Sequence, residues 1–276
     1  MIKEKEIDEQ ELKEFFKKTF NTVAEGYDNS ALRFFPQSGA RFPAYLGLRG
    51  REHVLDVATG TGATAMALAG ALPDGRVTGI DFSEKMLDRA RRKFADLGLA
   101  NIELREMDMQ RISFPDKYFD AATCAFALFF IEDMKEQLRH IAAKVRKDGK
   151  VAITSFSETS FSPPVEIFFS CLERYGITPP TLTWKRVATP EKCSALFAGA
   201  GLRNITVDQI DCGYFLGSPE EWWHIVWNAG FRGLVQQLEE DELHRFKDEH
   251  LAELARLSAG EGIRIEMGII YTVGTV

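Results

Sequence analysis

Cysteine is scarce in this chain and nowhere paired: Cys124, Cys171, Cys193 and Cys212 are its four cysteines, widely separated, with no C-x-x-C. That excludes a disulfide framework and gives no zinc signature, so buried reduced thiols are the reading and no metal is expected. Long apolar runs are missing too. The longest, Ala121 to Ile131, falls well short of the roughly 20 residues a membrane span needs. A basic excess is absent: the net charge is −7 and the pI near 5.4. Nucleic acid, which needs a basic face, is therefore not an expected partner. The first ten residues, Met1 to Gln10, are charged and cannot serve as a secretory signal, so the expected location is the cytoplasm. What remains is ordinary globular composition, 45% hydrophobic and 27% charged over 276 residues. That length suits one α/β domain with added elements, or two small domains.

The most informative stretch runs from Asp56 to Gly62, Asp-Val-Ala-Thr-Gly-Thr-Gly. The apolar run His53-Val54-Leu55 before it reads as a strand, and the alanine-rich segment Ala63 to Leu72 after it reads as a helix. Glycines between a strand and a helix let the backbone turn sharply and approach a ligand, while the helix offers free N–H groups and the positive end of its dipole. A small nucleoside-like ligand is expected there. Gly60, Gly62 and Ala65 also make a G-x-G-x-x-A, with Asp81 after the next apolar strand, so a dinucleotide site fits the glycines alone. Asp56 breaks the tie. A buried carboxylate at the end of an apolar strand is costly, and it suits a ligand carrying an ammonium and a sulfonium better than an anionic pyrophosphate. Asp81 itself, just past a strand's carboxyl end, is placed to accept both hydroxyls of a ribose.

Four motifs follow in order: Asp56-x-x-x-Gly60-x-Gly62; Gly79-Ile80-Asp81-Phe82-Ser83 with Met86-Leu87; Met107-Asp108-Met109; and Phe119-Asp120. Together, across residues 20 to 156, they resemble the class I S-adenosylmethionine-dependent methyltransferases, in the small-molecule branch that includes the quinone-ring methyltransferases. The resemblance implies a Rossmann-like α/β fold: a seven-stranded, mostly parallel sheet with an antiparallel last strand, helices on both faces and helical cap insertions. It implies S-adenosylmethionine as cofactor. Carried over position by position, the cofactor-binding residues are Tyr27, Asp56, Ala58, Thr59, Gly60, Gly62, Asp81, Phe82, Met86, Asp108, Met109, Ala125 and Phe126. In the family's pattern a tyrosine at the place of Tyr27 lies over the methionine end. An acid at the place of Asp108 takes the adenine amino group, with the neighbouring backbone N–H on a ring nitrogen. Phe82 and Met86 would flank the base.

In chain order, residues 1–48 are expected to form an N-terminal helical cap. It begins with an amphipathic helix over Glu9 to Ala24, apolar at Leu12, Phe15, Phe16, Phe20 and Val23. Residues 49–156 form the cofactor-binding core. Ser83 caps the helix after the second strand, Ile102 to Glu106 is the third strand, and Tyr118 to Ala127 is a central fourth. The carboxyl end of that fourth strand, at Ala125 and Phe126, meets the glycine turn where strand order reverses. A helix from Glu132 to Arg146 ends in the basic run Lys144, Arg146, Lys147 and stops at Gly149, and Lys150 to Phe156 is the fifth strand. Residues 157–188, with Pro163-Pro164 and Pro179-Pro180, read as a lid insertion. Residues 189–276 complete the core, with a helix from Thr189 to Gly201, a strand over Asn204 to Ile210 and a last strand over Arg264 to Val273, entering at the edge in the family's pattern. A helical substrate cap is inserted at about 213–262, opening on Ser218-Pro219-Glu220-Glu221 as a capping box.

The cap insertion is rich in aromatics, with Trp222, Trp223 and Trp227, and insertions on the carboxyl side of a sheet commonly build a substrate pocket. A small, apolar or aromatic acceptor is expected. His224 in the same segment is the candidate general base, against the preferred reading in which a tryptophan three residues away buries it as a structural donor to a carbonyl. His53 and His140 belong to core elements. Lys144 to Lys150 lacks the Pro-Gly-Gly turn of the quinone branch, so no quinone is assigned. Two other readings stay open: an NAD(P)-dependent reductase, and a catalytically silent nucleoside-binding module.

Overall fold

Alternation along the first strand decides the layering. The computed structural model describes residues 9–178, 182–258 and 260–276. The Pro179-Pro180 pair and the charged segment Met1 to Asp8 lie outside them. In β1 (His53–Val57), Val54 joins one apolar cluster while Leu55 and Val57 join another, because successive side chains of a strand point to opposite faces. The same division runs through β2 (Arg76–Asp81), β4 (Phe119–Ala125) and β5 (Val145–Phe156), while β3 (Ile102–Glu106) puts Ile102 and Leu104 on one face and exposed Glu103 and Arg105 on the other; these strands lie parallel. Three strands follow β5: β6 (Arg203–Asp211), then the short β7 (Tyr214–Leu216) and β8 (Ile263–Ile265), which pair with each other, and finally β9 (Gly268–Thr275). The main sheet has seven strands in the order β3-β2-β1-β4-β5-β9-β6, with β9 antiparallel to both neighbours. Strand order reverses between β1 and β4, which opens a crevice at their carboxyl ends.

Before the sheet lie α1 (Glu9–Val23), α2 (Phe34–Gly39) and α3 (Phe42–Leu46). Within the core, α4 (Ala63–Gly70) and α5 (Glu84–Asp96) pack with α3 on one face, through Leu68, Phe94 and Phe42. On the other face, α6 (Met134–Lys144) packs through Leu138 and Ile141. After β5 come α7 (Pro164–Arg174) and then α8 (Pro190–Gly199), which joins that second face through Phe197. Between β7 and β8 stand α9 (Pro219–Asn228), α10 (Arg232–Val235) and α11 (Glu240–Ala255). Ser83 and Thr189 cap α5 and α8 by accepting from the N–H groups of Met86 and Lys192. No helix among the described residues is long and apolar enough to cross a membrane.

Several expectations change. The last strand is two: Ile263–Ile265 pairs in the small sheet, and only Gly268–Thr275 enters the main one. It enters between β5 and β6 and not at the edge, because Ile269 to Val273 are buried on both faces, whereas β6 alternates exposed and half-buried residues as an edge strand does. Of the basic run only Lys144 lies in the last turn of its helix; Arg146 and Lys147 belong to the next strand. α6 ends at Lys144 and β5 starts at once with Val145 paired to Phe119, so Arg146 answers Asp120 at 2.7 Å and Lys144 answers Asp116 at 2.7 Å. β4 stops at Ala125, where Phe126 turns left-handed. Ser218 stands at the N-cap of α9 without a side-chain cap bond, and the Glu221 carboxylate accepts from Gly217 N–H at 3.3 Å instead.

The aromatic insertions pack on themselves. Phe168 of α7 meets Trp222, Phe231 and Phe246, and the indole N–H of the fully buried Trp222 donates to His250 Nε2 at 2.7 Å. Burial drives His250 down to about 3, so it is neutral and accepts. Their rings bury one another and share one apolar cluster with Phe156 of β5 and Ile269 and Ile270 of β9. Replacing Trp222 by Phe removes both the donor to the buried His250 and part of a fully buried ring, and should cost about 2–5 kcal/mol in urea unfolding; an unchanged midpoint would show that neither contributes.

Candidate cofactor site

Between β1 and α4 the backbone takes left-handed values at Ala58 (φ 54°), Gly60 (φ 55°) and Gly62 (φ 83°). The two glycines are needed for different reasons. A Cβ on Gly62 would stand 2.2 Å from the ring of Phe94, so α5 can close on the turn only over a glycine. Gly60 has open space around it, and its N–H points into Asp81 Oδ2 at 2.8 Å. Ser83 N–H donates to the other oxygen of Asp81 at 2.9 Å. Asp81 is 7% exposed, and burial pushes its carboxyl up to about 6 against the pull of these N–H groups.

Asp56 lies beneath the site. It is 1% exposed, and its carboxylate accepts from Thr59 Oγ1 at 2.6 Å and Thr123 Oγ1 at 2.7 Å. Burial raises it to about 6, with the Asp81 charge adding to the rise and the hydroxyls opposing it. It pins the turn to β4 and does not reach the cavity wall. Gly62, against Phe94, likewise lines neither of the two cavities at this site.

Two cavities of about 260 and 300 Å3 adjoin at the carboxyl ends of β1 and β4, sharing Tyr27, Ala58, Gly60, Ala125 and Phe126. Asp81, Phe82, Met86, Asp108 and Met109 line the first; Thr59 lines the second. Tyr27 stacks on Phe35 with centroids 5.0 Å apart, and burial with nearby Asp81 and Asp28 holds its phenol above the usual range, so it stays protonated. Asp28 fastens this segment to the core: it accepts from Thr61 Oγ1 and Lys93 at 2.8 Å each and from Arg89 at 3.1 Å, which keeps it low and charged. Asp108 Oδ1 caps its own turn through Gln110 N–H at 3.0 Å.

His224 is not at the site. Trp222, Trp223, Ile225 and Val226 form the buried stripe of α9 and leave His224 on its exposed arc, outside both cavities. This corrects its expected placement as a base; nor is it the buried histidine of the other reading. His53 and His140 serve the core, bonded to Thr78 Oγ1 at 2.8 Å and to Ile112 N–H at 3.0 Å. Other residues come to the site unannounced. From α1, Leu12, Lys13, Phe16 and Phe20 roof the first cavity; Phe130 and Ile131 wall it. Arg186 clamps that wall by donating to the carbonyls of Phe129 (2.7 Å), Ile131 (2.7 Å) and Glu132 (3.0 Å). The amphipathic pattern of α1 was visible in sequence, but not what its stripe would cover.

These residues fit an adenosyl amino acid. Asp81 keeps lone pairs for a ribose, the rings of Phe82, Phe20 and Phe130 offer an apolar slot for a base, and Asp108 stands at its polar end. The shared junction of Tyr27, Ala58, Ala125 and Phe126 holds no cation to repel a sulfonium.

Comparison with known proteins agrees. Residues 54–149 match a methyltransferase domain. The chain is 34% identical over 145 residues to a demethylmenaquinone methyltransferase of Lactobacillus johnsonii, covering 50% of this chain and 59% of that protein. It is 35% identical over 130 residues to a phosphatidylethanolamine N-methyltransferase of Cereibacter sphaeroides, covering 47% and 62%. It is 29% identical over 205 residues to a ubiquinone/menaquinone biosynthesis C-methyltransferase of Geotalea daltonii, covering 67% and 86%. The chain thus spans about three-fifths of the length of the first two curated relatives. Among solved structures, the YcgJ protein of Bacillus subtilis superposes with a TM-score of 0.59 at 20% identity, covering 87% of this chain and 97% of that one. The [4+2]-cyclase SpnF does so with 0.61 at 16% identity, covering 98% and 97%. Both likenesses concern the fold.

Asp81 gives a pH test in the ligand-free protein. Its ordinary value is 3.8 and its folded value about 6, so the native state binds the proton more tightly, and its contribution to stability falls as pH rises through that window. Asp81→Asn, uncharged throughout, should therefore gain on the parent between about pH 4 and pH 7, by on the order of 2–3 kcal/mol. Urea unfolding across that range checks it, and a gap that does not change with pH would mean the carboxylate is not strained.

Proposed function

The chain belongs to the class I S-adenosylmethionine-dependent methyltransferases, and from that premise we propose that it methylates a small, apolar or aromatic acceptor. The observation that carries the reading is the continuous groove around the ends of β1 and β4, with Asp81 and Asp108 in one half and the helix-entry turn in the other. When bound, S-adenosylmethionine supplies a carbon already activated by its sulfonium.

The chain's own contribution is alignment and exclusion of water. Asp81 orients the ribose, and the glycine turn and Thr59 face the amino-acid end. Tyr27 and Phe126 close the junction where the methyl would be exposed, and both Ala58 (φ 54°) and Phe126 (φ 52°) hold left-handed backbone there. Such conformations in non-glycine residues cost about 1–3 kcal/mol each and cluster at functional sites. No histidine lines either cavity among the described residues, and the protonated Tyr27 cannot act as a base. At the junction itself, the rings of Phe35 and Phe126 beside Tyr27 support an apolar acceptor. The relatives' names differ in acceptor atom, carbon in one and nitrogen in another, and give no common choice.

Thermal unfolding with S-adenosylmethionine, S-adenosylhomocysteine or NADH, beside Asp81→Ala, tests this. Ligand at about a hundred times its dissociation constant adds about 2.7 kcal/mol, several degrees for a chain of this size. Shifts with the two sulfur nucleosides that vanish in Asp81→Ala are expected. A shift with NADH alone would replace this reading with that of a reductase, and binding without methyl transfer to any acceptor would favour a silent nucleoside-binding module.

A further inference from the structure

Lys13 stands on α1, outside the core, yet its ammonium donates to Oδ2 of Asp108 across the first cavity, which both residues line. The second oxygen of Asp108 is already fixed by Gln110 N–H at 3.0 Å. One turn further along α1, Lys17 reaches Glu106, the last residue of β3, at 3.4 Å. On the adjoining stripe Leu12, Phe16 and Phe20 roof the same cavity. α1 therefore presents two stripes to the site, one apolar over the cavity and one cationic on the two acids at the end of β3. The Lys13 and Asp108 side chains are 26% and 18% exposed, too little for solvent to screen the pair as it would on an open surface.

We propose that Lys13 is a positioning residue for nucleoside recognition, acting through Asp108. A carboxylate held at one oxygen still swings; an ammonium on the other fixes its plane and leaves its remaining lone pairs for the amino group of a purine. The ordering cost is met before the ligand arrives. The same bond seats the α1 roof, so recognition of the base and closure over it share one contact. This rests on the reading that the groove takes an adenosyl ligand.

Calorimetric titration of S-adenosylhomocysteine and S-inosylhomocysteine into the parent protein, Lys13→Met, Lys13→Arg, Asp108→Asn and the Lys13→Met/Asp108→Asn double variant decides it. Lys13→Met should weaken S-adenosylhomocysteine by about tenfold or more and narrow the preference over the inosyl ligand, with Lys13→Arg recovering most of both. In the Asp108→Asn background the same change should cost little further. An equal loss in both backgrounds would overturn the proposal by showing that Lys13 acts through packing, and so would unchanged affinity in Lys13→Met. Ligand-free melting of each variant guards against misfolding, with Lys13→Gln in place of Lys13→Met if that variant melts early. A parent protein that binds neither ligand would instead bring down the cofactor reading, and this proposal with it.

Discussion

One carboxylate joins the two turns on which the site depends. Asp81 takes the N–H of Gly60 from the turn into α4 and the N–H of Ser83 from the turn into α5. Those turns follow β1 and β2, neighbours in the sheet, so the bond pair sets how far apart two helix entries stand at the carboxyl ends of their strands. It does so with a charge that burial disfavours. A fold selected for stability alone would use a neutral acceptor there. Keeping the carboxylate makes sense where a ligand's hydroxyls complete its shell, the usual tension between stability and function.

Around this fixed floor the walls have different origins. Core strands supply Ala58, Ala125 and Phe126, and a clamp from Arg186 fixes the loop carrying Phe130. The roof comes from residues that precede the first strand, and it is held by charge: Asp28 on Lys93 and Arg89, Lys13 on Asp108. Ion pairs thus join apolar packing, Val23 and Ala24 on Met86, in holding the part of the groove that must admit a ligand. Ion pairs suit that duty because they are individually modest and can be remade.

Much of the core was legible because local chemistry agreed with the global fold. Glycines at 60 and 62, the cap at Ser83 and the buried run of β4 each name their own structure. The site was legible where it depends on the turn after a strand, as for Asp81, and illegible where it depends on distant docking, as for Lys13, Phe16 and Arg186. His224 shows the opposite failure. An aromatic neighbourhood in sequence suggested a pocket, but at 3.6 residues per turn Trp222, Trp223 and Val226 face inward and residue 224 faces out. The family's pattern puts β9 at the edge, but the continuous buried run Ile269 to Val273 needs a partner on each side, and β5 and β6 supply them.

That slot between β5 and β6 bears on how the chain is made. β5 pairs on one side with β4, close before it in sequence, but its other side waits for β9, which comes after both cap insertions. While the ribosome is still producing those insertions, a long and largely buried strand presents an open hydrogen-bonding edge, and β6 has no sheet to join. Such pairings are slow to close and prone to wrong partners. The nascent chain therefore holds a nearly complete nucleoside platform beside an unfinished edge, and the last strand seals the sheet.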